Sequence, residues 1–162
     1  FHAEVDDVLG DGVPGMTDLG DLSYTEHVVT EAMRYYPPVH RVVREASERV
    51  QLRGRTVDRG SILTMPQWIV HRDRRWYDDP LEFRPERWAA DRDRPEYAYF
   101  PFGGGPRRCI GMRFAKLEAQ LVLATLAREY RLELVGDGGP LDLQSGVTAS
   151  PADPVEMVPR AR

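Results

Sequence analysis

The sequence contains a single cysteine, Cys109, among its 162 residues. One cysteine excludes an intramolecular disulfide. It also argues against a structural zinc site, which usually takes four ligands with two or more cysteines in close spacing. The four histidines are scattered along the chain and do not complete such a set. The chemistry of this thiol therefore depends on the residues immediately around it.

Long hydrophobic runs and an excess of one charge are also missing. No apolar run approaches the roughly 20 residues that cross a bilayer, so we expect no membrane segment in this chain. The 22 basic and 26 acidic side chains are spread along it, which predicts no nucleic-acid partner. These features predict a cytoplasmic protein. The chain begins at Phe1, inside a helical pattern, so we expect a truncated start, and a membrane anchor upstream stays open.

A glycine- and proline-rich segment leads into the only cysteine. Three consecutive glycines and two prolines precede Cys109, a composition that forms neither regular helix nor central strand. An amphipathic pattern follows over residues 111–130. Cys109 thus lies where a loop enters a helix N-terminus, and there the helix dipole favours a thiolate over a thiol. Arg107 and Arg108 act in the same direction. We interpret residues 98–114 as a metal-ligand loop.

Elsewhere the patterns are those of short helices and short strands. The segment 23–36 reads as a helix with a Ser23–Glu26 capping box, and it ends at Pro37. The aromatic residues of segment 73–95 predict an ordered loop packed on a core. Further helices are predicted at 1–9 and 66–73, the latter burying Trp68, with extended segments or strands at 39–45, 50–57, 62–65, 130–135, 141–143 and 155–158. The fold class is therefore mainly α with short β-sheets.

Three motifs together resemble one family. Phe102-x-x-Gly105-x-Arg107-x-Cys109-x-Gly111 resembles the haem-binding signature of the cytochrome P450 haem-thiolate monooxygenases. Glu31-x-x-Arg34 and Pro85-Glu86-Arg87-Trp88 are similar to two further motifs of that family. The resemblance runs along the whole chain, so residues 1–162 are expected to form the C-terminal haem-binding portion of the fold. The N-terminal part and the long distal helix would be absent.

The resemblance implies a role for each matching residue. Cys109 would be the axial ligand of the haem iron, and Arg44 and Arg107 would bind propionates. Glu31, Arg34 and Arg87 would form a buried, purely structural ion-pair cluster. Further contacts to the cofactor, haem b (iron protoporphyrin IX), would come from Pro101, Phe102, Gly103, Gly111 and Ala115. The substrate side would be lined by Val39, His40, Val42, Val43, Val147 and Thr148.

The implied activity is insertion of one oxygen atom of O2 into an organic, apolar substrate. Electrons would come from a separate ferredoxin or flavin-type reductase, docked on basic residues such as Arg107, Arg108 and Arg113. No Gly-x-Asp/Glu-Thr-Thr stretch for proton delivery occurs here, so no catalytic residue beyond the haem ligand is assigned. Two alternatives stay open: a truncated haem-binding fragment without turnover, and a cysteine hydrolase with Cys109 as nucleophile and His71 as base.

Overall fold

The computed structural model describes residues 1–90, 93–136, 138–139 and 141–162. Helices and short two-stranded antiparallel sheets alternate along this part of the chain, which confirms the mixed α and β class. None of the described helices is long and apolar enough to span a bilayer. The helices are α1 (His2–Leu9), α2 (Ser23–Tyr35), α3 (Gln67–Val70) and α4 (Met112–Glu129), with 3-10 turns at Pro85–Trp88, Glu96–Ala98 and Gly105–Arg107.

The strands pair into four sheets within the described residues. Strand β1 pairs with β4, β2 with β3, β5 with β8 and β6 with β7. Their bounds are β1 Val42–Glu45, β2 Val50–Leu52, β3 Arg55–Val57, β4 Ile62–Met65, β5 Tyr130–Leu134, β6 Leu143–Ser145, β7 Ala149–Pro151 and β8 Met157–Ala161.

One β-hairpin, β2–β3, lies near the middle of the chain, and another, β6–β7, lies near its end. The β2–β3 hairpin turns at Arg53 and Gly54, as predicted, and both residues have positive φ (48° and 78°). The β6–β7 hairpin lies slightly later than the predicted strand 141–143, and its tip is formed by residues 146–148. The Ala149 amide donates to the Pro38 carbonyl at 2.7 Å. This bond ties the second hairpin to the segment between α2 and β1.

The N-terminus of α2 is capped differently from the prediction. Helix α2 begins at Ser23, but neither Ser23 nor Glu26 caps it through the expected reciprocal pair. Instead the Glu4 carboxylate of α1 accepts hydrogen bonds from the Tyr24 amide (2.5 Å), the Thr25 amide (2.8 Å) and the Thr25 hydroxyl (2.7 Å). A carboxylate at this end is favourable because the first amides of a helix lack partners there. The capping-box prediction was wrong.

The apolar core lies where α1 meets α4. Val5, Leu22, Ala124 and Ala127 are buried together, with Phe1, Val8 and Leu9 packed at the edge of this cluster. The β5–β8 sheet continues directly from the end of α4.

Helix α3 is shorter than predicted and buries different side chains. Gln67 and His71 are fully buried, whereas Trp68 is only half-buried. The Arg72 guanidinium lies 3.4 Å from the centre of the Trp68 ring and shields one face of it. Trp68 is therefore buried only in part, less than the sequence predicted. In the loop 73–95, Tyr77 is buried and donates to the Ala98 carbonyl at 2.9 Å, while residues 91 and 92 lie outside the described part.

Candidate cofactor site

An ion-pair cluster (Glu31, Arg34 and Arg87) joins α2 to the 3-10 turn Pro85–Trp88. Glu31 and Arg34 are three residues apart on α2 and therefore share a face. Arg34 donates from Nε and Nη2 to the two Glu31 carboxylate oxygens, both at 2.8 Å, and Arg87 Nε donates to Glu31 Oε1 at 2.9 Å. All three side chains are buried. The structure thus brings together the three residues named from the sequence.

The cluster has further members that the sequence reading missed. The Trp88 indole N–H donates to Glu31 Oε2 at 2.9 Å, and the Arg84 amide donates to Glu31 Oε1 at 2.8 Å. Arg34 and Arg87 also donate to the main-chain carbonyls of His71, Asp78, Asp79, Pro80 and Glu82. Trp88 was visible in the sequence as the end of the Pro-Glu-Arg-Trp motif. Main-chain acceptors carry no residue type, so no sequence signal could have found them.

These contacts decide the charge state of Glu31. Burial by itself favours the neutral acid and would raise its pKa. The hydrogen bonds from Arg34, the Arg84 amide and Trp88, with the positive charge of Arg34, outweigh burial and lower the pKa below its ordinary value. Glu31 is therefore an anion held between cations, as a buried ion pair requires.

The cysteine loop is shaped by its glycines and by main-chain hydrogen bonds. The Gly103 amide donates to the Phe100 carbonyl at 2.9 Å, and the Cys109 amide donates to the Phe102 carbonyl at 2.9 Å. Gly103 and Gly105 have φ values of 72° and 66°, a region that side chains with a Cβ rarely adopt. The backbone, more than side-chain packing, fixes this loop.

Cys109 is exposed, and α4 begins just after it with Gly111 as the N-cap residue. The predicted apolar stripe of α4 is only partly covered. Ala124 is fully buried, but Phe114 is 69% exposed and Ile110, just before the helix, is fully exposed. The first turn of α4 therefore leaves apolar surface uncovered beside the thiol.

A cavity of about 480 Å³ opens between the cysteine loop and the segment that joins α2 to β1. Its lining combines apolar side chains with a thiol and guanidinium groups. The lining residues are Met33, Pro38, Val39, Arg41, Val42, Val43, Arg44, Pro101, Phe102, Gly103, Arg107 and Cys109. A neighbouring cavity of about 340 Å³ shares Val42 and Arg44 with it.

Most, but not all, of the sequence-named residues line this cavity. Gly111 and Ala115 do not, since both belong to the start of α4. Val147 and Thr148 sit exposed at the tip of the β6–β7 hairpin, also outside the lining. His40 is turned away from the lining: its carbonyl accepts from the Trp68 amide at 3.1 Å, and its Nδ1 is buried.

The cavity fits a haem in charge and polarity. Arg44 and Arg107 are exposed at its edge, and within the described part of the chain neither pairs with a carboxylate. Guanidiniums without a carboxylate partner are suited to bind carboxylates such as propionates. The valine and phenylalanine walls suit a flat apolar ring. Over the described residues, no cluster of three or more His, Cys, Asp or Glu forms an alternative metal site.

Comparison with known proteins agrees with this geometry. The sequence profile of the family described as Cytochrome P450 matches residues 1–157. The chain is 36% identical to cytochrome P450 4c21 of Blattella germanica, over 99% of this chain and 33% of that protein. It is 36% identical to cyclooctatin synthase of Streptomyces melanosporofaciens, over 100% of this chain and 35% of that protein. It is 38% identical to cyclooctat-9-en-7-ol 5-monooxygenase of the same organism, over 83% of this chain and 30% of that protein.

The chain belongs to the cytochrome P450 family. It spans about a third of the length of the curated relatives it matches.

Proposed function

We propose that this chain binds haem b through Cys109 and supplies the thiolate-ligand side of a monooxygenase. One observation carries the proposal: a single cavity is lined by Cys109, by an apolar wall and by the guanidiniums of Arg41, Arg44 and Arg107, none of which pairs with a carboxylate of the described residues. When bound, a thiolate-ligated haem supplies oxygen activation, because electron donation from sulfur favours O–O cleavage.

The residues of this chain would divide the binding of haem b among them. Cys109 would hold the iron as a thiolate from the loop before α4, and Arg44 and Arg107 would neutralise the two propionates. Pro101, Phe102 and Gly103 would form the wall that keeps water from the sulfur. Gly111 and Ala115 stay predicted contacts, supported only by their position at the first turn of α4.

The substrate would be organic and apolar. Val39, Val42 and Val43 support this because they give one wall of the cavity an aliphatic surface. The name of one relative, cyclooctat-9-en-7-ol 5-monooxygenase, states oxygenation of an organic alcohol, which supports the same reaction class. His40, Val147 and Thr148 stay predicted pocket residues that no observed contact supports.

Electrons would come from a separate ferredoxin or flavin-type reductase, with O2 as co-substrate. Arg107, Arg108 and Arg113 are exposed around the cysteine loop and support docking of an acidic partner. The cytoplasmic location stays a prediction, as does the assignment of residues 1–162 to one haem-binding portion.

A haem titration with a cysteine variant tests the proposal. The chain is loaded with haem, reduced and exposed to carbon monoxide, and the absorption spectrum is compared with that of Cys109→Ser. We expect the red-shifted Soret band of thiolate ligation in the native chain and its loss in the variant, with circular dichroism unchanged. A native chain that binds haem without that band, or a variant that retains it, contradicts the proposal.

A second candidate is haem binding without turnover. The exposure of Ile110 and Phe114 next to the cavity favours it, because uncovered apolar surface leaves the cofactor side open to water. The haem-loaded chain is assayed with a chemical reductant and a panel of apolar substrates. Sustained product formation would eliminate this candidate.

The hydrolase alternative has less support. His71 is fully buried, and its Nε2 already accepts a hydrogen bond from the Phe100 amide at 3.0 Å. A general base needs that lone pair free for the nucleophile. We therefore do not propose it.

A further inference from the structure

We infer that Gln67 and His71 form a clamp on the main chain of Phe100, and that this clamp positions the Cys109 loop. Neither side chain lines the cavity or was assigned a role in binding haem. The inference rests on the proposed function for what the loop holds, and on the observed contacts alone for the clamp itself.

The clamp binds both main-chain polar groups of Phe100, its amide and its carbonyl. Gln67 and His71 are four residues apart, so they project from the same face of the α3 segment. The Gln67 side-chain amide donates to the Phe100 carbonyl, and His71 Nε2 accepts from the Phe100 amide at 3.0 Å. Both side chains are fully buried. Together they replace the bonds that a neighbouring β-strand would give to Phe100.

The clamp is connected to the ligand loop by a short covalent path. Phe100 is followed by Pro101, whose ring fixes φ and whose residue is buried. Phe102 comes next, and its carbonyl accepts the Cys109 amide at 2.9 Å. The Phe100 carbonyl also accepts the Gly103 amide at 2.9 Å. A shift of Phe100 would therefore move Gly103 and Phe102, and with Phe102 the carbonyl that accepts the Cys109 amide.

The other end of the clamp is fixed to α2. Arg34 Nη1 donates to the His71 carbonyl at 2.9 Å, so the buried ion-pair cluster holds the residue that holds Phe100. The His71 ring stacks on Tyr99 at 5.3 Å between centroids and meets Phe100 edge-on at 5.4 Å. These contacts leave the imidazole little freedom to rotate.

The polarity of the two side chains argues for a role beyond filling space. Because His71 Nε2 accepts a hydrogen bond, the neutral ring carries its proton on Nδ1. Among the described residues, Gln67 Oε1 is buried without a hydrogen-bond partner. Apolar side chains of similar volume would avoid that penalty. The polar groups therefore cost stability, which their bonds to Phe100 must offset.

Two substitutions at one position test the clamp. His71→Leu removes the acceptor but keeps the volume, whereas His71→Gln restores an acceptor at a similar reach. In the chain without haem, amide hydrogen exchange measured by NMR should be about tenfold faster or more for Phe100 and Cys109 in His71→Leu. In His71→Gln their rates should stay within about threefold of native. Val5→Ala, in the distant α1–α4 core, controls for a general loss of stability.

The haem-loaded proteins give the second measurement. We expect His71→Leu to lose at least about half of the thiolate-type carbon monoxide band to a thiol-type band, while His71→Gln and Val5→Ala retain it. Unchanged Phe100 exchange in His71→Leu overturns the clamp. Faster exchange with an unchanged band overturns its positioning role. If the native chain lacks the thiolate band, the proposed function fails, and the exchange rates of Phe100 and Cys109 still decide whether the clamp controls the loop.

Discussion

The ion-pair cluster and the cysteine loop are built in opposite ways. In the cluster, Glu31 and Arg34 are fully buried and every partner is another protein group. In the loop, Arg107, Arg108 and Cys109 are exposed and held mainly by main-chain bonds. A buried charge is tolerated only when fully paired, whereas a group intended for a ligand must be left unpaired. The ion-pair cluster therefore stabilises the fold, whereas the cysteine loop leaves its thiol and guanidiniums accessible to a ligand.

The largest expected effect is on the cluster. Glu31→Gln leaves the Arg34 and Arg87 charges buried without an anion, and we expect a loss of about 3–5 kcal/mol in the free energy of unfolding. Urea unfolding followed by circular dichroism measures it. Glu133→Gln is the matched control, because Glu133 pairs with Arg160 at 2.9 Å but is 51% exposed. The control should lose under about 1 kcal/mol. Equal losses would remove the contrast between buried and exposed pairs.

Acid should lower the free energy of unfolding through His71, which connects the ion-pair cluster to the cysteine loop. Burial, with the nearby Arg34 and Arg72 charges, lowers the pKa of His71 from 6.5 to about 4. As pH falls below 6.5, the unfolded chain takes up a proton that folded His71 refuses until about pH 4. We expect a loss of about 1.6 kcal/mol between pH 6.5 and 5.0, because the slope is half its full value of about 1.4 kcal/mol per unit at pH 6.5 and approaches that value only at lower pH.

The comparison with His71→Gln isolates this contribution. Urea midpoints are measured at both pH values for the native chain and for the variant, which has no titrating group at this position. The variant should lack most of the native pH dependence between these values. Parallel curves for the two proteins would show that His71 does not control acid stability.

A smaller effect is expected where the cluster meets the aromatic residues. Trp88→Phe removes one hydrogen bond to the Glu31 carboxylate but keeps its two bonds from Arg34. We expect a loss of about 1.5 kcal/mol in the free energy of unfolding. Thermal unfolding of Trp88→Phe and of the half-buried control Trp76→Phe gives the difference. A Trp88 effect no larger than that of Trp76 would show that the indole contributes packing alone.

The smallest effect is expected in the loop. Without haem, Cys109→Ser changes an exposed side chain that makes no observed side-chain hydrogen bond among the described residues. Its free energy of unfolding should change by less than about 0.5 kcal/mol. Chemical denaturation of the haem-free native chain and variant measures this change. A large loss would place the thiol in the fold rather than at an open site.

The sequence could predict features that depend on residue type at short spacing. Glu31 and Arg34 share a helix face because they are three apart, and the β2–β3 turn follows from Arg53-Gly54. The cysteine loop was recognisable from its glycines. Arg87 was assigned to the ion-pair cluster, and Arg44 to the cofactor site, because of the family resemblance and not because of sequence spacing.

Features that depend on distant main chain could not be predicted. Glu4 caps α2 from 20 residues upstream of the Tyr24 amide, and no local pattern marks it. The clamp on Phe100 joins a side chain to a backbone amide 29 residues away. The exposure of Phe114 was also missed, because periodicity identifies an apolar stripe but does not identify what covers it.

The hydrogen bond between the Ala149 amide and the Pro38 carbonyl fixes the β6–β7 hairpin to the segment that lines the cavity. Pro38 lines the cavity, so this bond holds strand β7 against the cavity lining. Residues 146–148 form the tip of the same hairpin. Val147 and Thr148 lie outside the lining, so we expect substitutions at the hairpin tip to leave the cavity wall unchanged. The bond at Pro38, and not the tip, therefore couples the β6–β7 hairpin to the cavity.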